Sequence, residues 1–217
     1  MAIIKEIIAE NVIIVTENIN PAIFNSIWFV KNEIFGIDDI LPDSVFVPGF
    51  SSLSSNAIQI TIVPNQIQLS LKNINLNNYV ILEKIMQGLC KHIAQFTKAI
   101  GINFIWKVMS SNEDIHSMSL RLFGNQQKSF YQYFSKEDSK LGAYFSQDVD
   151  VSTRLKLDVK PVKMSDDNDN TIQEFLMYSF NYHHDVKNEN VENDILKQVA
   201  KWDTLCKNSN DILCLLD

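Results

Sequence analysis

The stretch Ala57-Ile-Gln-Ile-Thr-Ile-Val63, Pro64-Asn65, Gln66-Ile-Gln-Leu-Ser-Leu71 decides the fold class of this chain. With Pro64 and Asn65 as the two central turn residues, the register sets Ile62 opposite Ile67, Ile60 opposite Leu69 and Ile58 opposite Leu71. Every pair on that face is apolar. The other face pairs Val63 with Gln66, Thr61 with Gln68 and Gln59 with Ser70, and it can meet water. Proline at the first turn position suits a type I or II turn.

Six branched side chains on one face represent about 9–18 kcal/mol of burial as an upper bound, so something must cover them. The segment that follows supplies the cover. Leu82, Ile85, Met86, Leu89, Ile93, Phe96 and Ile100 recur at spacings of three and four, which predicts one long amphipathic helix, capped by Asn77 or Asn78 and ended by Gly101.

Upstream, the β-branched residues of 6–16 predict one or two strands, with Glu10-Asn11 as a break. Asn20-Pro21 starts a short helix carrying Ile23, Phe24, Ile27 and Trp28, and Val45-Phe-Val-Pro48 reads as an edge strand. The serine-rich run 50–56 reads as a loop. Downstream, alternation predicts strands at 102–108, 118–122, 154–164 and 171–185, and a short helix around Phe130, Tyr133 and Phe134. A closing helical stripe runs through Val191, Ile195, Val199, Trp202 and Cys206.

The expected architecture is an α+β fold: a mainly antiparallel sheet of about seven to nine strands, with two long amphipathic helices packed on one face. The expected organisation is one domain over residues 1–217, whose halves, 1–101 and 102–217, repeat the same order of elements and share one sheet.

Composition narrows the function classes. A hydrophobic fraction of 46% with 21% charged residues is ordinary for a globular chain, and no apolar run is long enough to span a membrane. The N-terminal segment lacks a basic leader and a small-residue cleavage site and reads as mature structure. A net charge of −7 with only two arginines, Arg121 and Arg154, disfavours duplex nucleic acid. Lys156, Lys160 and Lys163 form a local basic cluster whose simpler reading is a lysine-protected strand edge. The odd cysteine count, Cys90, Cys206 and Cys214, points to free thiols and a cytoplasmic location.

No glycine-rich phosphate loop, nucleophile elbow or metal-binding spacing is present, and no cofactor is expected. Cys90 and His92, two apart on a helix, diverge and do not make a nucleophile and base. Residues 166–170 look superficially like a calcium loop but lack its central glycine and distal glutamate. His183 and Asp185, two apart on a strand, share a face, and Asp158 on a neighbouring strand is the third member of a candidate site. The aromatics Phe130, Tyr131, Tyr133, Phe134 and Tyr144 are the best candidate for an interaction surface, set against their commoner fate as core.

The leading expectation is therefore a non-catalytic interaction or assembly protein, a component of a bacterial or phage multi-protein system, acting through protein contacts or as a homodimer. The alternatives are an enzyme or small-ligand binder with a pocket between sheet and helices, with His183, Asp185 and Asp158 near its mouth, and, more weakly, a single-strand nucleic-acid binder.

Overall fold

The computed structural model describes residues 3–72, 78–124, 127–134, 136, 138–165, 172–187 and 190–216. Among them nine strands form one sheet: β1 (Ile3–Thr16), β2 (Val45–Val47), β3 (Phe50–Ser54), β4 (Ile58–Val63), β5 (Gln66–Leu71), β6 (Thr97–Ser110), β7 (Ala143–Asp148), β8 (Thr153–Ser165) and β9 (Ile172–Asp185). The order across it is β2-β3-β4-β5-β1-β6-β9-β8-β7, and every pairing is antiparallel. The described helices are α1 (Ser26–Lys31), α2 (Asn78–Ile93), α3 (Ile115–Phe123), α4 (Ser129–Tyr133), α5 (Val191–Val199) and α6 (Trp202–Leu213).

The β4–β5 hairpin adopts the register read from its sequence, from Ile58 opposite Leu71 to Val63 opposite Gln66. Neither Pro64 nor Asn65 takes a positive φ, which selects a type I turn over type II or the primed forms. Ile58, Ile60, Ile62, Ile67 and Leu69 are fully buried, and Leu82, Ile85, Met86 and Leu89 of α2 lie in the same apolar cluster. That cluster runs on through Ile102, Phe104, Leu157, Phe180, Ile195 and Trp202, so one core serves both halves of the sheet.

Several elements differ from the sequence reading, each for a tertiary reason. The long helix stops at Ile93, where the Thr97 hydroxyl donates to the Ile93 carbonyl at 3.0 Å. Residues 97–110 then run as a strand between β1 and β9, so Ile100 lies on the inner face of β6 and Gly101 is mid-strand. A division at 101–102 passes through this central strand.

Met118, Leu120 and Leu122 alternate like a strand, yet they lie in α3. Asp114 caps it by accepting from the Ser117 N–H at 2.8 Å, and Ile115 and Met118 are its buried positions. The run 50–56 contributes β3 rather than only loop, because Ser51 and Leu53 face the core opposite Ile62 and Ile60. β1 is continuous through Glu10-Asn11, and its pairing with β6 shifts register at Ile7/Ala9 and again at Val15/Thr16. The closing stripe is broken at Ala200-Lys201 into α5, which packs on α2, and α6, which packs on β6. β7 covers β8 only from Arg154 to Val159, so Lys156 is interior to the sheet, whereas residues 160–165 pair with β9 alone and place Lys160 and Lys163 on a strand edge. Pro161 lies just past that pairing, where its missing N–H costs the sheet nothing.

β1 and β6 lie side by side at the middle of the order, with Asn11 opposite Asn103. On each side a meander returns to its own first strand, β2 to β5 onto β1 and β7 to β9 onto β6, followed by helix. α1, α2, α3, α5 and α6 pack on one face, the inner face, through side chains of the shared core, to which α4 contributes none. The other face carries none of these five.

Candidate functional site

The registers align the bare face into rows. One row runs Gln59, Ser70, Asn11, Asn103, Asn181, Lys156 and Ser146 across seven strands, roughly 30 Å at about 4.8 Å per strand. Its centre is hydrogen-bonded: Asn181 Nδ2 donates to Asn103 Oδ1 at 2.5 Å, and Asn103 Nδ2 donates to Asn11 Oδ1 at 2.8 Å. Gly101, in the next row, leaves room for this ladder, since a Cβ there would stand 2.9 Å from Asn181 Nδ2. Three ion pairs lie on the face, Lys107 with Glu6 at 3.5 Å, Lys160 with Asp158 at 2.5 Å and Arg154 with Asp148 at 3.5 Å, while Lys156 in the row itself has no ion pair among the described residues.

His183 and Asp185 lie on this face, at the end of β9, and the structure brings them together at 3.2 Å as an exposed pair. Asp158 does not join them. It stands opposite Ser179 and is held by Lys160, about 14 Å along the strand from His183 at about 3.4 Å per residue. All three are on the bare face, so none borders a pocket between sheet and helices. Lys163 pairs with Glu174 at 3.8 Å.

The adjacent His184 points the other way, and the sequence reading missed it. Its ring is buried on the inner face, with Nδ1 accepting from the Thr153 hydroxyl at 3.0 Å, Nε2–H donating to the Asp194 carboxylate at 3.2 Å and the Gln198 carboxamide 3.3 Å away. Hydroxyl, imidazole and carboxylate follow the order of a nucleophilic triad. However, Thr153, His184 and Asp194 are 5%, 6% and 5% exposed, which leaves a substrate no approach. The group ties β8 and β9 to α5. Its members are 31 and 10 residues apart from His184, so only the fold reveals them.

The aromatic segment is exposed rather than core: Phe130, Tyr133 and Tyr144 are 66%, 82% and 63% exposed. Phe130, Tyr131, Tyr133 and Phe134 pack on each other, with ring centroids 5.3–5.4 Å apart. Tyr144 lies on β7, the free edge of the sheet. Cys90 is buried while His92 meets Trp28 edge-to-face with centroids 5.0 Å apart, so the two diverge. The calcium-like residues 166–170 lie outside the described residues.

Beneath the β7 edge, on the inner face, is a cleft of about 720 Å³. Leu155, Leu157 and Tyr178 form its floor, Leu122 and Phe123 of α3 one wall, and the C-terminal turn (Cys214–Leu216) another. Further clefts hold about 620 Å³ beside Asp114, His116 and Lys140, about 500 Å³ beside Ala94 and Asn190, and about 220 Å³ beside α2.

Comparisons with protein-family models, curated proteins and solved structures give no match. Among the described residues no group of three or more His, Cys, Asp or Glu side chains could hold a metal ion, and no helix is long and apolar enough to cross a membrane.

Proposed function

We propose that this chain is a non-catalytic binding protein that assembles with a protein partner through the bare face of its sheet. The observation that supports this most is the polar row itself. A face spanning the central strands keeps its asparagines in a fixed hydrogen-bonded ladder and most of its charges in local pairs, with half-buried Ile13 and Ile105 between them. Pre-ordered side chains lose little entropy on association, and a patch of neutralised charge with small apolar islands has the composition of a protein interface. The same neutrality argues against a nucleic-acid backbone as the ligand. A pseudo-symmetric origin of the two halves accords with β1 and β6 meeting at the centre.

Asn103→Arg places a long charged side chain in the middle of the ladder without touching the core. The tagged full chain and this variant are purified from the native host under identical conditions, and retained proteins are identified by mass spectrometry, with mass by light scattering. The expected result is a defined partner, or a dimer, present with the parent chain and lost with Asn103→Arg. Retention that is identical for both, or a strictly monomeric parent chain with no partner, overturns the proposal.

A further inference from the structure

We infer that β7, one of the two edges of the sheet, pairs with β7 of a second copy of this chain, joining two sheets across a two-fold axis. The other edge is blunted, because β2 is three residues long and is followed directly by Pro48. β7 has six residues, contains neither proline nor lysine, and pairs with β8 without a register shift. Its free backbone groups follow from the ladder. Val149 N–H donates to the Thr153 carbonyl at 2.8 Å. By antiparallel alternation Phe145 and Gln147 then also bond to β8, and the N–H and C=O groups of Tyr144, Ser146 and Asp148 point away from the sheet. Among the described residues these outward groups meet no other strand and no loop backbone.

Charge and side-chain pattern select a second copy as the occupant. Outward groups bond only to outward groups, so a two-fold axis must pass through a residue of β7. An axis at Gln147 sets Ser146 opposite Asp148 of the second copy and Phe145 opposite Val149 of the second copy. Phe145 and Val149, 52% and 53% exposed, become an aromatic and β-branched cross-strand pair. On the outer face Lys156, which lies opposite Ser146 and has no ion pair among the described residues, then stands two strands from Asp148 of the second copy. That is roughly 10 Å between Cα atoms at about 4.8 Å per strand, over a small serine, and a lysine and an aspartate side chain together span it. The symmetry makes the ion pair twice. An axis at Ser146 sets Phe145 against glutamine and brings the two Lys156 side chains towards each other; an axis at Phe145 gives Lys156 no carboxylate. A strand from another protein has to supply the same charge and the same apolar residue at the same offset, which the second copy already carries.

The contact is short, so the expected dissociation constant is on the order of 10 µM. Mass is followed by sedimentation over a dilution series of the full chain and of Ser146→Pro, Lys156→Glu and Asp148→Lys. The parent chain should pass from monomer to dimer. Ser146→Pro, whose lost N–H faces solvent in the single copy, should leave the circular dichroism unchanged and weaken the dimer at least about tenfold. Lys156→Glu and Asp148→Lys each place like charges at the seam and should each be monomeric, whereas their equimolar mixture restores both ion pairs and should dimerise. A parent chain that is monomeric throughout, variants that associate like the parent, or a mixture no heavier than its components overturns the inference. So does a monomeric chain that captures another protein only while Ser146 is intact, which gives the edge to a foreign strand. Asn103→Arg lies on β6, with β9 and β8 between it and β7. It should leave the β7 dimer in place when the bare-face partner is lost, so the two surfaces fail separately.

Discussion

His183 and His184 are neighbours in the chain and opposites in the fold. Strand geometry sends one to water and one to the core, and which goes where is set by the register with β6, where His184 faces Ile100. Removing the Asp194 carboxylate leaves a buried imidazole N–H unpaired. Asp194→Ala should cost about 1–3 kcal/mol in urea unfolding, and Asp194→Asn, which retains an acceptor, clearly less. The alkaline limb of stability follows from burial too. Desolvation pushes the Cys90 thiol from its ordinary 9.0 to about 12 and the Tyr178 phenol from 10.0 to about 12. A group whose pKa is higher in the folded state stabilises in full below its unfolded pKa and loses that contribution as pH rises through the folded value. The urea midpoint should therefore fall progressively between pH 9 and pH 12, and Cys90→Ala should make the decline shallower.

Elements were legible where a single period dominated. The hairpin alternates for its whole length, and its register, buried face and turn all follow from that. The segment 115–123 carries both a strand-like and a helix-like spacing, and the Asp114 cap together with the burial of Ile115 and Met118 decides for helix. Continuity between elements is set similarly: α2 yields to β6 because residues 97–110 gain two strand partners, β1 and β9. β7 depends on a close approach at its start. A Cβ on Gly142 would run into the Val159 carbonyl oxygen, a backbone atom that cannot swing away. Gly142→Ala should push β7 from β8 at a cost of about 1–3 kcal/mol, seen as a lower urea midpoint and faster hydrogen exchange at Tyr144 to Asp148.

At the scale of the molecule, the central β1–β6 pairing and the shared core couple the two halves. Unfolding should then be a single transition. Variants keeping only Trp28, in the first half, or only Trp202, in the second, should give coincident urea curves, whereas separated midpoints would show independently folding halves. The sequence by itself determined the α+β class, the hairpin register and the one-sided burial of the sheet, because alternating apolar residues constrain which face must leave water. Only the tertiary structure decided that β1 and β6 lie side by side, that three asparagines from distant strands form a ladder, that His184 meets Thr153 and Asp194, and that Tyr178 lines an apolar cleft. Each of these rests on contacts between residues far apart in the chain, and local periodicity carries no information about which strand will become whose neighbour.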